Sequence, residues 1–174
     1  MVRGRKNPLF FGLPSRLKQA RRQSSLKRLP LAERAGLATA TGRDIESGQR
    51  IPTVGTVSRL ASALGVNAGW LGYGLGEQPA DSSPATTEGM GARVQALRIE
   101  RRLTKVALAR QVGVDHSTIA NIEKGSQTGV DVLEALAKAL GVSPAWLAFG
   151  EGPREIPKKR RVRTVRVQAA HADR

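Results

Sequence analysis

The sequence has no cysteine and only two histidines among its 174 residues. Without cysteine there is no disulfide framework and no thiolate metal site, and so few histidines disfavour a structural zinc site. Aromatic residues make up 3 %, which disfavours a stacking platform for single-stranded nucleic acid. No apolar run approaches the roughly 18 residues that identify a membrane span. We therefore expect no cofactor, no metal, no membrane partner and a cytoplasmic location.

Negative charge is also scarce. There are 14 acidic residues against 29 basic ones, which gives a formal net charge of +15 and a pI near 11.5. The excess is concentrated in residues 1–28, which contain no acidic residue, and in residues 158–166, KKRRVRTVR. A charge so far from zero indicates a polyanionic partner, usually nucleic acid. The alternative is a basic protein without such a partner.

Two segments of the chain repeat the same pattern. Each contains, in order, L-A-x-x-x-G, I-E-x-G, L-A-x-A-L-G-V and W-L-x-x-G, and the first has one extra residue after its I-E-S-G. The pattern predicts two related domains, residues 15–76 and 92–152. Between them, the acidic and Pro-, Ser- and Thr-containing segment 77–91 predicts a flexible linker. Residues 1–14 are then a basic arm, and residues 153–174 a basic tail.

Each repeat has the spacing of an all-helical domain with five short helices. In the second repeat, residues 104–112 and 115–124 form two helices joined by a tight turn at Gly113, which is the helix-turn-helix pattern. Residues suited to begin or end helices bound the segments. The expected N-terminal caps are Thr104, Asp115 and Ser143, and the expected stops are Gly113, Gly125 and Gly141.

The cluster Asp115, His116 and Ser117 has the residue types of a catalytic triad. Neighbours along a helix point about 100° apart, however, so these three side chains cannot converge on one another. No carboxylate cluster, metal site or nucleophile–base pair is found elsewhere either. We therefore expect no enzymatic activity.

The same helix has two dissimilar faces. Ile119 and Ile122 lie on one side, where they would be buried. The opposite side is small, polar and uncharged, and such a face suits the edges of bases in a major groove. An ordinary solvated helix face has the same composition, so these residues alone leave both interpretations open. The polar side consists of His116, Ser117, Ala120 and Asn121.

Both repeats resemble the lambda-repressor-like DNA-binding domain of the Cro/C1 (XRE) helix-turn-helix family. The second does so through LTKVALARQVGVDHSTIANIEKG and LEALAKALGVSPAWLAFG, and the first through LAERAGL, IESGQRIP and LASALGVNAGWL. The resemblance implies that the helix beginning at His116 is the recognition helix. It also implies one Arg–Glu ion pair per repeat, Arg98 with Glu123 and Arg21 with Glu46. Trp70 and Trp146 are expected in the core.

The resemblance further implies a set of DNA-binding residues in each repeat. In the second, the recognition helix faces bases, and Lys105 and the residues after the helix meet phosphates. In the first, the corresponding positions are more basic. The second-repeat set is Lys105, His116, Ser117, Thr118, Ala120, Asn121, Lys124, Ser126 and Gln127. The first-repeat set is Arg28, Thr39, Ala40, Arg43, Asp44, Gln49 and Arg50.

The first repeat departs from the pattern. Gly42 stands where the second repeat has Ile119, and Ala38 stands at the position of the Asp115 cap. Asp44 replaces Asn121, and a carboxylate on this face is repelled by phosphates unless it accepts from a cytosine amino group. We expect the first repeat to read bases weakly, to bind the DNA backbone well, or to serve in assembly.

These features predict a sequence-specific double-stranded DNA-binding regulator, of the repressor type found in phages and mobile elements, located at the bacterial nucleoid. One alternative is an architectural protein that coats DNA with little sequence preference. Another is an adaptor that binds a protein partner. Two-fold assembly is usual in the family, so a homodimer on a palindrome is expected. A lone chain with freely tethered, head-to-tail modules would instead bind a direct repeat.

Overall fold

The structure, a computed structural model, describes residues 8–78 and 89–155. A short 3₁₀ helix, Leu9–Gly12, precedes ten α-helices, and no strand occurs within these two ranges. The fold is all-α, as predicted. Helices α1 to α5 are called module 1 below, and helices α6 to α10 module 2. The helices are α1 Leu13–Gln23, α2 Arg28–Arg34, α3 Thr39–Glu46, α4 Val54–Leu64, α5 Ala68–Tyr73, α6 Met90–Glu100, α7 Lys105–Val112, α8 His116–Glu123, α9 Val130–Leu140 and α10 Pro144–Phe149.

The helix ends follow the local sequence, with one exception. Thr104 precedes α7, and its side chain accepts a hydrogen bond from the Ala107 amide, while Gly113 ends the helix in the left-handed conformation with φ 80°. Ser143 caps α10 in the same way as Thr104 caps α7. Asp115 occupies the N-cap position of α8, but its side chain makes no capping hydrogen bond. The predicted capping role of Asp115 is therefore wrong, although the helix begins where expected.

The ends of the modules differ slightly from the composition boundaries. Helix α6 begins at Met90, inside the segment 77–91, and Met90 is buried. The next residue, Gly91, lies so close to α8 that an added Cβ would be 2.3 Å from the Ile122 carbonyl oxygen. Leu13, within the segment taken as a basic arm, is also buried. The other parts of the predicted arm, linker and tail, residues 1–7, 79–88 and 156–174, lie outside the described residues.

The buried apolar side chains of the two modules form one continuous core. In module 2 the first helix, α6, contributes one buried stripe, and the helix-turn-helix pair and α9 close over it. Trp146 is half-buried and packs against this core, as Trp70 does in module 1. The main buried side chains of module 2 are Val94, Leu97, Leu108, Ile119, Ile122, Leu133, Leu136 and Leu140.

An arginine of the first helix ties down the last helix in both modules. Arg16 donates to the Leu71 and Gly72 carbonyls at 2.9 and 2.7 Å. Arg93 donates in the same way to Leu147 and to the residue after it, at 3.1 and 3.0 Å. Burial lowers the pKa of both guanidinium groups. Each arginine satisfies carbonyls that a helix C-terminus leaves without an intrahelical partner, and so holds α5 or α10 in place.

The two modules are packed against each other. Helix α5 of module 1 lies on α10 of module 2, and the backbone at Thr53 forms an antiparallel bridge with the backbone at Gly129. This arrangement differs from two modules joined only by a flexible linker. The physical reason is the apolar surface of α5 and α10, which each module alone would leave in water.

Candidate nucleic-acid interface

Module 2 contains a complete helix-turn-helix unit. Helix α7 ends at Val112 with Gly113 as its C-cap, and α8 begins three residues after Gly113, at His116. Ile119 and Ile122 are 0 % and 1 % exposed, so one face of α8 is held entirely within the core. The opposite face is left at the surface of the module, in the position that a recognition helix requires.

The surface of α8 is polar and uncharged. His116, Ser117 and Asn121 are exposed, and Thr118 and Ala120 are half-buried beside them. The structure thus brings five of the predicted DNA-binding residues onto one helix. Asn can make two hydrogen bonds to adenine, and Ser can bond to any base, so this face has the chemistry needed to read a major groove.

The corresponding helix of module 1, α3, has a different surface. Thr39, Ala40 and Arg43 are exposed. Asp44 is half-buried and accepts a hydrogen bond from the Arg43 Nε at 3.2 Å. The carboxylate therefore has a cationic neighbour, which reduces the repulsion from phosphates expected from sequence. The same contact partly occupies Arg43, which was expected to bind phosphate.

Each recognition helix is held by a buried ion pair at its C-terminal end. Arg98 donates to both carboxylate oxygens of Glu123, at 2.6 and 3.2 Å, and Arg21 donates to Glu46 at 2.5 and 3.2 Å. The two glutamate side chains are only 4 % and 3 % exposed. Such a pair links the first helix to the recognition helix and orients it, but it contacts no ligand itself.

A second cation shares each of these glutamates. Lys105 Nζ lies 3.5 Å from Glu123 Oε2, and Arg28 Nε lies 3.0 Å from Glu46 Oε2. Sequence reasoning assigned Lys105 and Arg28 to phosphates and missed this contact. The signal available was that both repeats place a cation at the same position, at the start of the second helix. Both side chains remain partly exposed, so the contact with glutamate positions them at the surface of the helix-turn-helix unit.

The second cation also affects the ionisation of Glu46. Burial is the largest single influence and opposes ionisation. The hydrogen bonds and charges of Arg21 and Arg28 together outweigh it, so the pKa of Glu46 lies below its ordinary value. In module 2 the hydrogen bond from Arg98 to Glu123 raises the pKa of the guanidinium. The carboxylate of Glu46 is therefore an anion at neutral pH, despite being buried.

The residues that follow α3 and α8 are of two kinds: most are exposed to solvent, and one contacts the other module. Lys124 and Ser126 are exposed next to α8, and Gln49 and Arg50 are exposed next to α3. Gln127 was expected to meet the DNA backbone. Its side-chain oxygen instead accepts a hydrogen bond from the Gly55 amide of module 1 at 2.8 Å, so this oxygen belongs to the contact between the modules.

Within residues 8–78 and 89–155, no group of His, Asp and Glu side chains could hold a metal ion. No helix in the same ranges has the length and apolar character needed to cross a membrane.

Two helix-turn-helix units, each with an exposed recognition helix, define a protein of the DNA-binding class. The chain belongs to the helix-turn-helix family of Cro/C1 type, whose sequence profile matches residues 17–71 and again residues 94–147. This family consists of DNA-binding regulators. No solved structure matches the chain significantly.

Curated proteins that are similar to part of the chain include a transcriptional regulator and a phage repressor. The HTH-type transcriptional regulator PrtR of Pseudomonas aeruginosa is 35 % identical over 71 residues, which are 41 % of this chain and 28 % of that protein. The immunity repressor protein of Bacillus phage phi105 is 41 % identical over 54 residues, which are 30 % of this chain and 38 % of the repressor. The chain thus aligns with less than two fifths of the length of either relative.

Proposed function

We propose that the protein is a sequence-specific regulator of transcription that binds double-stranded DNA and acts as a repressor of the type encoded by phages and mobile elements. The observation that carries the proposal is the exposed polar face of α8, held rigidly by buried isoleucines on its other side. The names of the two relatives, a transcriptional regulator and an immunity repressor, support the repressor assignment.

In this proposal module 2 supplies base readout. Ser117 and Asn121 bond to base edges, with His116 beside them at the N-terminal end of the helix. Lys105, Lys124 and Ser126 bind the phosphate backbone on either side. Module 1 contributes mainly backbone affinity through Arg28, Arg43, Gln49 and Arg50. The described basic residues and the net charge of +15 supply the attraction to any DNA.

The test is a comparison of specific and random duplexes at two salt concentrations. Asn121→Ala and Ser117→Ala should each reduce discrimination between a selected duplex and random DNA by about 1–3 kcal/mol. Their affinity for random DNA should stay nearly constant. Arg110→Ala, an exposed cation on α7 outside the proposed set, is the matched surface control and should leave discrimination unchanged.

The same titrations separate the alternative functions. An architectural protein that coats DNA would bind selected and random duplexes equally, with a steep dependence on salt for both. The high net charge is the observation that favours this second candidate. An adaptor for a protein partner would bind neither duplex tightly at physiological salt. Equal losses on selected and random DNA in Asn121→Ala would contradict base readout by α8.

A further inference from the structure

The backbone contact between the modules joins equivalent positions of the two repeats. Thr53 and Gly129 are each the residue before the fourth helix of their module, and they face each other in the antiparallel bridge. The Val54 amide donates to the Thr128 carbonyl at 2.9 Å, and the Val130 amide donates to the Pro52 carbonyl at 3.1 Å. Each bond is the counterpart of the other, with the modules exchanged.

The helix contact shows the same reciprocity. Gly69 and Ala145 are each the second residue of the last helix, and a Cβ added to Gly69 would lie 2.7 Å from the Ala145 Cβ. Tyr73 and Phe149 each end their helix, and their ring centroids are 6.4 Å apart. Contacts in which every residue meets its own equivalent define a two-fold axis, as in an isologous dimer.

The contact is nevertheless specific for one module 1 and one module 2. The Glu134 carboxylate accepts from the Leu9 and Phe10 amides at 2.7 and 3.0 Å, and Glu151 accepts from the Gly69 amide at 2.8 Å. The residue equivalent to Glu134 in module 1 is a serine, and the one equivalent to Glu151 is Leu75. Two copies of module 1 would therefore lack these carboxylates, and two copies of module 2 would press Ala145 against Ala145.

The two-fold contact also limits how far apart α3 and α8 can lie. Helix α3 ends at Glu46, seven residues before Thr53, and α8 ends at Glu123, six residues before Gly129. Even fully extended connections would keep the two helix ends within about 50 Å of each other. Neighbouring major grooves on one face of DNA are about 34 Å apart, which lies within that reach.

Resting on the DNA-binding function proposed above, we propose that one chain is the equivalent of a two-fold dimer and reads an inverted repeat of two unlike half-sites. The axis that relates the modules also relates α3 to α8, so their half-sites run in opposite directions along the DNA. This replaces the direct repeat expected for freely tethered head-to-tail modules. The two half-sites differ because Asp44 and Asn121 present different groups to the DNA.

The first experiment is selection of duplexes by the full chain from a library with a randomised centre. The expected product has two dissimilar half-sites in inverted orientation, with centres about one helical turn apart. Native mass spectrometry should find one chain per duplex. Inserting about half a helical turn between the half-sites should lower affinity by roughly 10²-fold or more, because a rigid pair of modules then loses one contact.

The outcomes separate this inference from the proposed function. Enrichment of a direct repeat, of a single half-site, or of duplexes bound by two chains would overturn the inference and leave sequence-specific binding intact. Selected duplexes that tolerate the insertion would also overturn it, since freely tethered modules have that property. Enrichment of no sequence at all would overturn both.

A second experiment locks the contact between the modules. The chain has no cysteine, so Thr53→Cys combined with Gly129→Cys introduces only one thiol pair. Residues facing each other in this kind of bridge have Cα atoms about 4.5 Å apart, within the range of a disulfide. A Cβ at position 129 would meet the end of the Asp131 side chain, which can rotate away.

The oxidised double variant should migrate as a single chain and bind the selected duplex with the affinity of its reduced form. The two single variants are the matched controls, because each carries one of the changes without the crosslink. Disulfide-linked dimers, or an oxidised chain that has lost affinity for the duplex, would overturn the inference. The insertion experiment uses the unmodified protein and does not depend on how well these variants fold.

Discussion

The two modules share a frame, by which we mean the buried glutamate of the recognition helix with its two cationic partners. They differ in the side chains that α3 and α8 expose. In both, a buried glutamate accepts from an arginine of the first helix and contacts a cation of the second. The surfaces of α3 and α8 have little in common, since one carries Arg43 and Asp44 and the other Ala120 and Asn121. The contacts that hold the second helix of each helix-turn-helix unit are thus separable from the side chains that this helix exposes.

The comparison also shows which sequence differences matter to the frame. Neither α3 nor α8 has a side-chain hydrogen bond at its N-cap, so Ala38 in place of Asp115 costs module 1 no capping bond. Gly42 in place of Ile119 is a larger difference, because Ile119 is fully buried and Gly42 leaves open space around its Cβ position.

The largest expected effect concerns the shared frame. Glu46→Gln and Glu123→Gln should each lower the free energy of unfolding by about 3–5 kcal/mol, because a partly buried arginine loses its anionic partner. Urea denaturation measures the change. Glu100→Gln is the control, since that side chain is 54 % exposed and its ion pair with Arg154 should contribute less than about 1 kcal/mol. If only one of the two variants lost stability, the proposal that the two ion pairs have equivalent roles would be contradicted.

The next effect distinguishes the packing of α8 from that of α3 at one equivalent position, residue 119 in α8 and residue 42 in α3. Ile119→Ala should cost about 2–5 kcal/mol of stability, the usual range for emptying a buried aliphatic site. Gly42→Ala at the equivalent position should instead stabilise the protein by roughly 0.5–1 kcal/mol, because the new methyl meets no atom and alanine favours helix. Thermal denaturation of both variants measures this, and a loss of stability in Gly42→Ala would contradict the open space seen there.

A smaller effect is expected from exchanging the reading residues. Asp44→Asn removes a carboxylate from the side of α3 proposed to face DNA and releases Arg43 for a phosphate, so the salt slope of binding should steepen by about 0.9. Asn121→Asp should do the opposite and also lose base discrimination. Salt titrations on random and selected duplexes provide the measurement, with Glu33→Gln on the exposed surface of α2 as control. Identical slopes for both exchanges would mean that these positions do not face DNA.

The smallest expected effect is on pH dependence. The pKa of Glu46 is lowered in the folded protein, where Arg21 and Arg28 overcome the effect of burial. Its carboxylate therefore stabilises the fold above the unfolded pKa of about 4.3, and that contribution is lost as the pH falls through the folded pKa. Between about pH 5 and pH 3, Glu46→Gln should lose less stability than the wild type. Parallel losses, measured by urea denaturation at both pH values, would count against this role for Glu46.

Much of the fold could be predicted from the sequence, because it depends on local signals. Caps such as Thr104, stops such as Gly113 and the apolar spacing of α8 act over a few residues, so a short stretch of sequence is enough to predict them. The contact between the modules depends on Gly69 packing against Ala145 and on Glu134 accepting hydrogen bonds from the amides at the start of the 3₁₀ helix. Such long-range pairs leave no periodic pattern in the sequence. The contact of Gln127 with the Gly55 amide is another of them, and the sequence alone therefore pointed only to a DNA contact for Gln127.

The contact between the modules within one chain affects how DNA occupancy depends on protein concentration and how the two half-sites can change in evolution. A regulator that must first form a dimer loses DNA occupancy steeply as its concentration falls, because the amount of dimer falls faster than the total concentration and DNA binding follows the dimer. A chain that carries both halves responds to its concentration in simple proportion at low occupancy. On the proposed reading of two half-sites by one chain, a substitution in α8 alters one half-site and leaves the other alone, so the two halves of the operator can change independently.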